Sequence, residues 1–480
     1  MNWKMTTYIL GRMLGVEALV LMLPAVVAGI YGESLFPFLA TSIVLMVVFV
    51  GLGIKKPENT IIYGKDGFII IACAWILWSV FGAIPFVLSG AIPSVIDAFF
   101  ETVSGFTTTG STILTDIASL PKGINFWRCF THWIGGMGVL VFVMVIVSLE
   151  EKNSMHLMRA EVPGPEKDKL VPRARESARI LYTMYLALTV IEVIFLLFGG
   201  MDLYDSIIHS FSTAGTGGFN NRNSSVAYYD SAYIDGVITT FMILFGINFN
   251  IYYLLLLKKV KIAFKNEEVR AYLGIIATAT LAITINILHI YETPLKAFRY
   301  AIFQVAAIIT TTGFATADYD LWPEFSKCIL MLVMVVGACA GSTGGGMKIS
   351  RVLILAKSIK RELKQIVHPK SVNIVKVNGK KVGEGTLHNA YIYLVGYVMI
   401  FVASVVLISI NNFDFATSFS AVLTTINNVG PGISQVGPTQ NFSIFSDFSK
   451  LVFCFDMLVG RLEIIPFVVL FFPDLWRRKF

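Results

Sequence analysis

The sequence predicts an all-α polytopic membrane protein. Four helix–pore-loop–helix repeats surround one pore in pseudo-fourfold order, and a two-helix extension precedes them. Three observations predict this. Hydrophobic residues make up 55% of the chain and charged residues 14%, with a mean hydropathy of +0.72; soluble domains carry about a quarter charged residues. Many apolar runs reach the ~20 residues that cross a bilayer. One polar stretch also recurs. Thr107-Thr108-Thr109-Gly110 returns as Thr310-Thr311-Thr312-Gly313, and more loosely as Gly215-Thr216-Gly217-Gly218-Phe219 and Asn427-Asn428-Val429-Gly430-Pro431.

Met1-Asn2-Trp3-Lys4 leads into an apolar run with Arg12 early in it. No small-residue cleavage site follows, so the run reads as a retained helix rather than a signal peptide. Residues 7–53 read as two helices joined by a turn at Gly32-Glu33-Ser34, and 54–66 as a basic loop. Repeat one has a span over 67–90, a short helix Ser94–Ser104 behind Pro93, the Thr-rich stretch and a return span over 125–149. The short helix has about three turns, too few to cross. The order recurs as spans 178–200 and 233–257 around short helix 203–213. It recurs again as 269–291 and 325–357 around 294–309, and as 388–410 and 447–472 around 414–426. These units divide the chain at 1–65, 66–176, 177–266, 267–387 and 388–480. Aligning Gly110, Gly218, Gly313 and Gly430 places each filter at a similar distance from the start of its short helix.

The net charge of +7 is distributed by topology. Basic residues cluster at Lys55, Lys56 and Lys65, from Lys152 to Arg179, from Lys258 to Arg270, from Lys348 to Lys381, and at Arg477-Arg478-Lys479. These loops alternate with weakly charged ones that hold the repeats, which argues against nucleic acid as a partner. The positive-inside rule puts the basic loops and both termini in the cytoplasm and the pore repeats open to the outside. All five cysteines (Cys73, Cys129, Cys328, Cys339, Cys454) fall in apolar runs, where small buried hydrophobes are expected rather than a disulfide framework or metal cluster.

Irregular backbone at membrane depth persists only where protein buries it or a water-filled path runs beside it. Four such loops in one chain point to a central pathway. A half-helix entering from outside brings its partly negative C-terminus towards the bilayer centre, which favours a cation. Backbone carbonyls can then replace its hydration shell. Glycine permits conformations that a β-carbon penalises, and the hydroxyls of Thr108, Thr109, Thr311 and Thr312 add oxygens or brace the loop. A single Thr-Thr-Gly run would read as an ordinary loop; four equivalent copies do not. No carboxylate occupies a filter position, which favours carbonyl coordination of a monovalent ion.

These motifs resemble the bacterial TrkH/KtrB superfamily of potassium-uptake proteins, and the N-terminal extension resembles TrkH more than KtrB. Further support lies in Gly341-Ser342-Thr343-Gly344-Gly345-Gly346-Met347-Lys348 and Gly460-Arg461-Leu462-Glu463. The resemblance implies a K⁺ filter lined by Thr108, Thr109 and Gly110; Thr216, Gly217 and Gly218; Thr311, Thr312 and Gly313; and Asn428, Val429 and Gly430. None of the four glycines is replaced by Ser, a change associated in relatives with sodium permeation. The second and fourth copies depart from Thr-Thr-Gly. The resemblance also implies a gate, homodimers with one pore per protomer, residence in the bacterial cytoplasmic membrane, and a cytosolic TrkA-like RCK partner binding NAD and ATP or ADP. This chain carries no dinucleotide fingerprint, so K⁺ is the one bound species expected.

The Gly337–Gly346 stretch interrupts the second span of repeat three. It reads either as a close-packing face of small residues or as a flexible loop below the filter, resembling the family's gating loop, with Gly341, Ser342, Thr343, Gly344, Gly345 and Gly346 as its members. Met347 separates Gly346 from Lys348 and no strand precedes the loop, so it is not a phosphate-binding loop. Arg461 lies in the last span, where a charge is functional by default. It either pairs with Glu463 or Asp456 or shapes the gate, as its likeness to a pore-facing arginine of the family implies. Glu101, His209 and Gln304 each lie nine residues before a filter glycine and read as pore-helix braces. Asn248 and Asn250 are expected in helix contacts. Asp116, Asp318 and Asp447 either lend the outer mouth negative potential or are solvated surface charges. The basic loops also suit anionic lipid, and Val377-Asn378-Gly379-Lys380 reads as a hairpin turn. Two rivals stand beside a channel. A symporter coupled to H⁺ or Na⁺ would use broken helices, though commonly in inverted repeats. A membrane enzyme would need a catalytic or metal constellation that the six histidines do not form. No span carries arginines at every third position, as a voltage sensor would.

Overall fold

The computed structural model describes residues 2–62, 64–138, 174–371, 373–471 and 473. Much of the second basic loop, including Lys152, Arg159, Lys167, Lys169 and Arg173, lies outside the described residues, as does the end of the first return span.

The extension is α1 (Trp3–Val20), α2 (Met22–Ile30) and α3 (Phe36–Leu52). Gly11 and Gly15 of α1 let it lie directly on Phe49, Leu52 and Gly53 at the end of α3. Arg12 reaches the Tyr8 hydroxyl at 2.8 Å. Repeat one is α4 (Gly64–Leu88), α5 (Val95–Phe106) and α6 (Lys122–Gly136); repeat two is α7 (Ala174–Phe198), α8 (Leu203–Gly215), α9 (Ala232–Phe245) and α10 (Phe249–Leu256), with α11 (Val260–Phe264) leading on. Repeat three is α12 (Glu267–Ile287), α13 (Pro294–Ile309), α14 (Glu324–Val336) and α15 (Ile349–Val367). A two-stranded hairpin, β1 (Lys376–Val377) and β2 (Lys380–Lys381), follows. Repeat four is α16 (Glu384–Ile408), α17 (Phe415–Asn427), α18 (Asp447–Leu462) and α19 (Ile464–Val468).

Local sequence starts the short helices. Ser94, Thr293 and Asp414 cap α5, α13 and α17 by accepting from the backbone N–H three residues on. Pro294 occupies the first turn of α13. The hydroxyl of Thr417 donates to Asp414 and holds its carboxyl below the ordinary range.

Among the described residues, five helical stretches are long and apolar enough to cross a membrane: Trp3–Ile30, Asp66–Leu88, Ala178–Phe198, Glu267–Ile287 and Glu384–Asn411. These include the first helix of every repeat. The second helices differ from the continuous spans expected. The expected span 233–257 bends by 91° between α9 and α10. The expected span 447–472 stops at Glu463, whose φ is +64°. The expected span 325–357 is interrupted between α14 and α15, where the glycine run had suggested it. Each of these second helices breaks where it passes the inner ends of the short helices. There the irregular backbone is buried in protein, the one setting in which lipid depth tolerates it.

The 376–381 segment forms the expected hairpin. Lys376 pairs with Lys381 and Val377 with Lys380, and both turn residues have positive φ (Asn378 +51°, Gly379 +76°), as a type I′ turn requires.

Candidate functional site

The four short helices end in one motif. The N–H groups of Thr109, Gly217, Thr312 and Val429 reach back five residues to the carbonyls of Ser104, Ser212, Ala307 and Thr424, at 2.8–3.0 Å. The residues just before them, Thr108, Thr216, Thr311 and Asn428, reach back three residues and have φ between +55° and +60°. This is the Schellman ending, built four times without glycine at its left-handed position. The chain then passes to Gly110, Gly218, Gly313 and Gly430, with φ of +83°, +81°, +73° and +98°.

The four glycines close a ring. A β-carbon on Gly110 would overlap Gly217 O, one on Gly218 would overlap Thr312 O, and one on Gly313 would overlap Val429 O. One on Gly430 would stand 2.8 Å from Thr109 O, closing the circle on repeat one. Each glycine therefore lies against the carbonyl preceding the next glycine, in the order one, two, three, four. The predicted filter residues are brought together in this ring, and glycine is required for the close approach as well as for its φ.

Side chains behind the ring repeat in part. Thr107 and Thr310 each donate to a helix carbonyl at 2.6 Å, and share hydrogen bonds of 2.8 Å with Thr109 and Thr312 respectively. In repeat four, Asn428 substitutes: its Nδ2 donates to Thr109 Oγ1 and to Met457 O, both at 2.9 Å. Thr216 Oγ1 donates to Gly215 O at 2.6 Å. On one side the ring faces a cavity of about 90 Å³ lined by all four glycines.

On the other side lies the stretch Gly337–Lys348, an irregular loop rather than a packed helix face. Its backbone turns at Gly337, Gly341, Gly346 and Lys348, with φ from +71° to +76°. Gly345 N donates to Thr311 Oγ1 at 2.6 Å, directly beneath the ring. β-Carbons on Gly344 and Gly345 would stand 2.9 Å from Thr310 O and 2.5 Å from Asn427 O, so the bare backbone fills the space under repeats three and four. Ser342 Oγ donates to Cys339 O, Thr343 Oγ1 to Phe245 O, and Lys348 Nζ to Gly344 O. A space bounded by the loop, Arg351, Tyr393, Arg461 and Glu463 measures about 10 Å³, at the lower limit for one water.

Arg461 spans this loop and repeat one. Nη1 donates to Thr343 O at 2.7 Å, and Nη2 to Gly135 O and Gly136 O at 2.5 and 2.8 Å. The acids considered as its partners make contacts of their own. Glu463 pairs with Arg351 at 2.6 Å, and Asp456 accepts from Ser404 Oγ at 2.7 Å.

Glu101 and Gln304 act as the braces expected. Glu101 accepts from Ile113 N at 3.0 Å and from Arg128 Nε at 2.6 Å, and Gln304 Nε2 meets Thr316 Oγ1 at 3.5 Å. His209 does not brace its filter strand; its Nδ1 lies 2.8 Å from Asp205 O in its own helix. Asp205, one turn earlier, reaches Asn221 instead. Asn248 caps α10, and its side chain lies against Gly341. Asp116 sits beside Asn223, and Asp318 caps a short turn at Tyr319. Sequence reasoning missed Glu268. Its Oε1 accepts from Ala340 N at 2.6 Å and Ser350 N at 3.2 Å, holding both ends of the loop. The available signal was a second acid in the first turn of a span, behind the cap Asn266.

Comparison with known proteins decides the family. The profile described as "TrkH: Cation transport protein" matches residues 35–478. The chain belongs to the TrkH family. The Trk system potassium uptake protein TrkH of Salmonella typhimurium is 35% identical over 489 residues, covering 99% of this chain and 100% of that one. Its counterpart in Vibrio parahaemolyticus is 36% identical over 488 residues at the same coverage. The crystal structure of the potassium transporter TrkH from Vibrio parahaemolyticus aligns with a TM-score of 0.89 at 32% identity, over 99% of this chain and 100% of that one. The TrkH-family match therefore takes in the glycine ring, the loop and Arg461 together, and the full-length relatives also cover the extension.

Proposed function

We propose that this chain is the pore-forming subunit of a potassium-uptake system, carrying K⁺ across the bacterial cytoplasmic membrane through the ring at Gly110, Gly218, Gly313 and Gly430. The carrying observation is the closed cycle in which each glycine lies on the carbonyl of the next repeat. Four inward-leading helix C-termini with oxygen-rich endings offer a dehydrated cation a set of fixed dipoles. The family relationship and the relatives' names support K⁺ as the ion. A negative-inside potential, worth ~2.3 kcal/mol per charge per 100 mV, drives accumulation.

The 341–346 loop is the gate and this conformation is closed, because loop backbone fills the space beneath the ring. Arg461 latches it through Thr343 O. The basic loops and both termini face the cytoplasm, where the 376–381 hairpin lies ready for a cytosolic TrkA-like RCK partner that brings NAD and ATP or ADP. Each protomer of a homodimer carries its own pore.

The test is ion flux through the purified protein in liposomes under K⁺ and then Na⁺ gradients, beside Gly313→Ser. Voltage-following K⁺ flux, with selectivity weakened in the variant, is expected; selectivity unchanged by Gly313→Ser would refute the filter. A second reading, uptake coupled to H⁺ or Na⁺, draws on Glu17 and Glu192. Both are buried; the Glu17 carboxylate has no hydrogen-bond partner among the described residues, and Glu192 lies beside the Thr213 hydroxyl. Flux that stops without a proton or sodium gradient would favour it.

A further inference from the structure

The strand leaving each filter glycine is held twice, and the pattern runs round all four repeats. The third residue after each glycine is tied to the short helix of its own repeat by a side chain. Ile113 N donates to Glu101 Oε2 at 3.0 Å, and Ile433 N to Ser420 Oγ at 3.2 Å. Thr316 Oγ1 meets Gln304 at 3.5 Å, and Asn221 Nδ2 donates to Asp205 Oδ1. The second residue after each glycine presents its backbone carbonyl to the preceding repeat. Asn220 O accepts from Arg128 Nη1 of repeat one at 3.1 Å, and Ala315 O from Ala227 N of repeat two at 3.1 Å. Gly432 O accepts from the Tyr319 hydroxyl of repeat three at 2.9 Å, and Thr112 O from Phe442 N of repeat four at 2.8 Å.

The groups vary from repeat to repeat while the positions along the strand are the same. Glu, Asp, Gln and Ser occupy the inner tie; a guanidinium, a phenol and two backbone amides occupy the outer one. A shared position filled by unrelated groups indicates that the bond itself is needed. Arg128 and Glu101 join the two sets. The pair is buried at 2.6 Å, and the guanidinium lies 3.5 Å over the Phe219 ring just past Gly218.

We propose that this collar, through Glu101, Arg128, Asp205, Gln304, Tyr319 and Ser420, fixes the separation of the four glycine-bearing strands and thereby sets which monovalent cation the ring accepts. The inference rests on the filter reading above. The carbonyls that replace hydration must stand at one distance from the ion, and a ring that widens or collapses to suit the ion loses discrimination. The ties act from outside the ring on the strands that carry those carbonyls. These are positioning residues; none of them is a ligand of the ion.

The experiment compares Tyr319→Phe and Ser420→Ala with the unaltered full-length protein in liposomes. Each removes one hydroxyl with little change of shape. The readouts are the K⁺ to Na⁺ flux ratio and the midpoint of thermal unfolding. Each variant is expected to lower the ratio about fivefold, the factor of one ordinary hydrogen bond, with the midpoint held within a few degrees. Ser420→Thr, which keeps a hydroxyl, should restore the ratio. An unchanged ratio in both variants of a selective protein overturns the collar and leaves the filter reading standing. A ratio that falls only in step with the unfolding midpoint also overturns it, as a purely structural role. An unaltered protein that does not discriminate at all sinks the filter reading and the collar together.

Discussion

Arg461→Ala is the most direct probe of the proposed gate. The guanidinium holds the loop through Thr343 O and is itself held by two carbonyls at the end of α6. Removing it deletes a charge-assisted bond between loop and scaffold, worth ~1.5–3 kcal/mol. The other tethers remain: Gly345 N to Thr311 Oγ1, and Ala340 N to Glu268. At 1.4 kcal/mol per factor of ten, the open fraction should rise about tenfold to a hundredfold while the closed state still dominates. The assay is K⁺ flux per protein in liposomes without any partner. Arg461→Lys separates two accounts of the residue. An ammonium keeps the charge but cannot span both sets of carbonyls as the planar fork does. If the bridge matters, Lys should leak like Ala; if positive charge alone blocks cations, Lys should stay as tight as Arg. Flux in Arg461→Ala equal to or below that of the unaltered protein, with an unchanged unfolding midpoint, would refute the latch.

Three further expectations follow from the same geometry. Gly313→Ala should abolish selective K⁺ flux, because the β-carbon overlaps Val429 O and φ of +73° adds ~1–2 kcal/mol of strain; K⁺ and Na⁺ flux ratios check it. Glu268→Ala leaves one loop N–H, at Ala340, and one in the first turn of α15, at Ser350, without their acceptor, at ~1–3 kcal/mol each. Basal flux should rise and the unfolding midpoint fall, both measurable on one preparation. Arg351→Ala removes the Arg351–Glu463 ion pair and takes from Tyr393 the guanidinium 4.0 Å over its ring. Breaking a buried pair costs ~3–5 kcal/mol, and the 21% exposure of the Glu463 side chain sets the expectation at the lower end; a denaturation midpoint unchanged from the parent would argue against that pair.

Much of the site was legible because glycine carries its meaning alone. Gly110, Gly218, Gly313 and Gly430 could be aligned by counting, and the structure brings those four together. The glycine run before Lys348 could be read as a broken helix from propensity. The left-handed residues Thr108, Thr216 and Thr311 were not legible as such, because β-branched residues avoid positive φ and local propensity speaks against them; Asn428 is the exception, since asparagine is enriched there. The bend at Gly246–Asn248 and the stop at Glu463 were hidden for a related reason. Apolar runs report burial in lipid or protein alike, so hydropathy passes over a break that protein covers. His209 was expected as a brace by its spacing, yet the tie in repeat two comes from Asp205 one turn earlier, and the His209 ring packs against Tyr229 and Phe314.

Sequence alone determined that the chain lives in a membrane, that it is four repeats and an extension, and that each repeat dips a short helix towards a glycine. Those are properties of composition and period, carried by each segment independently. Tertiary structure decided what no single segment contains: the order in which the glycines meet, the loop seated under Thr311, and the partners of Arg461 and Glu268. These depend on contacts between residues up to hundreds of positions apart, such as Asn428 on Thr109. Close packing selects among polar partners by angstroms, and hydropathy and spacing do not resolve angstroms.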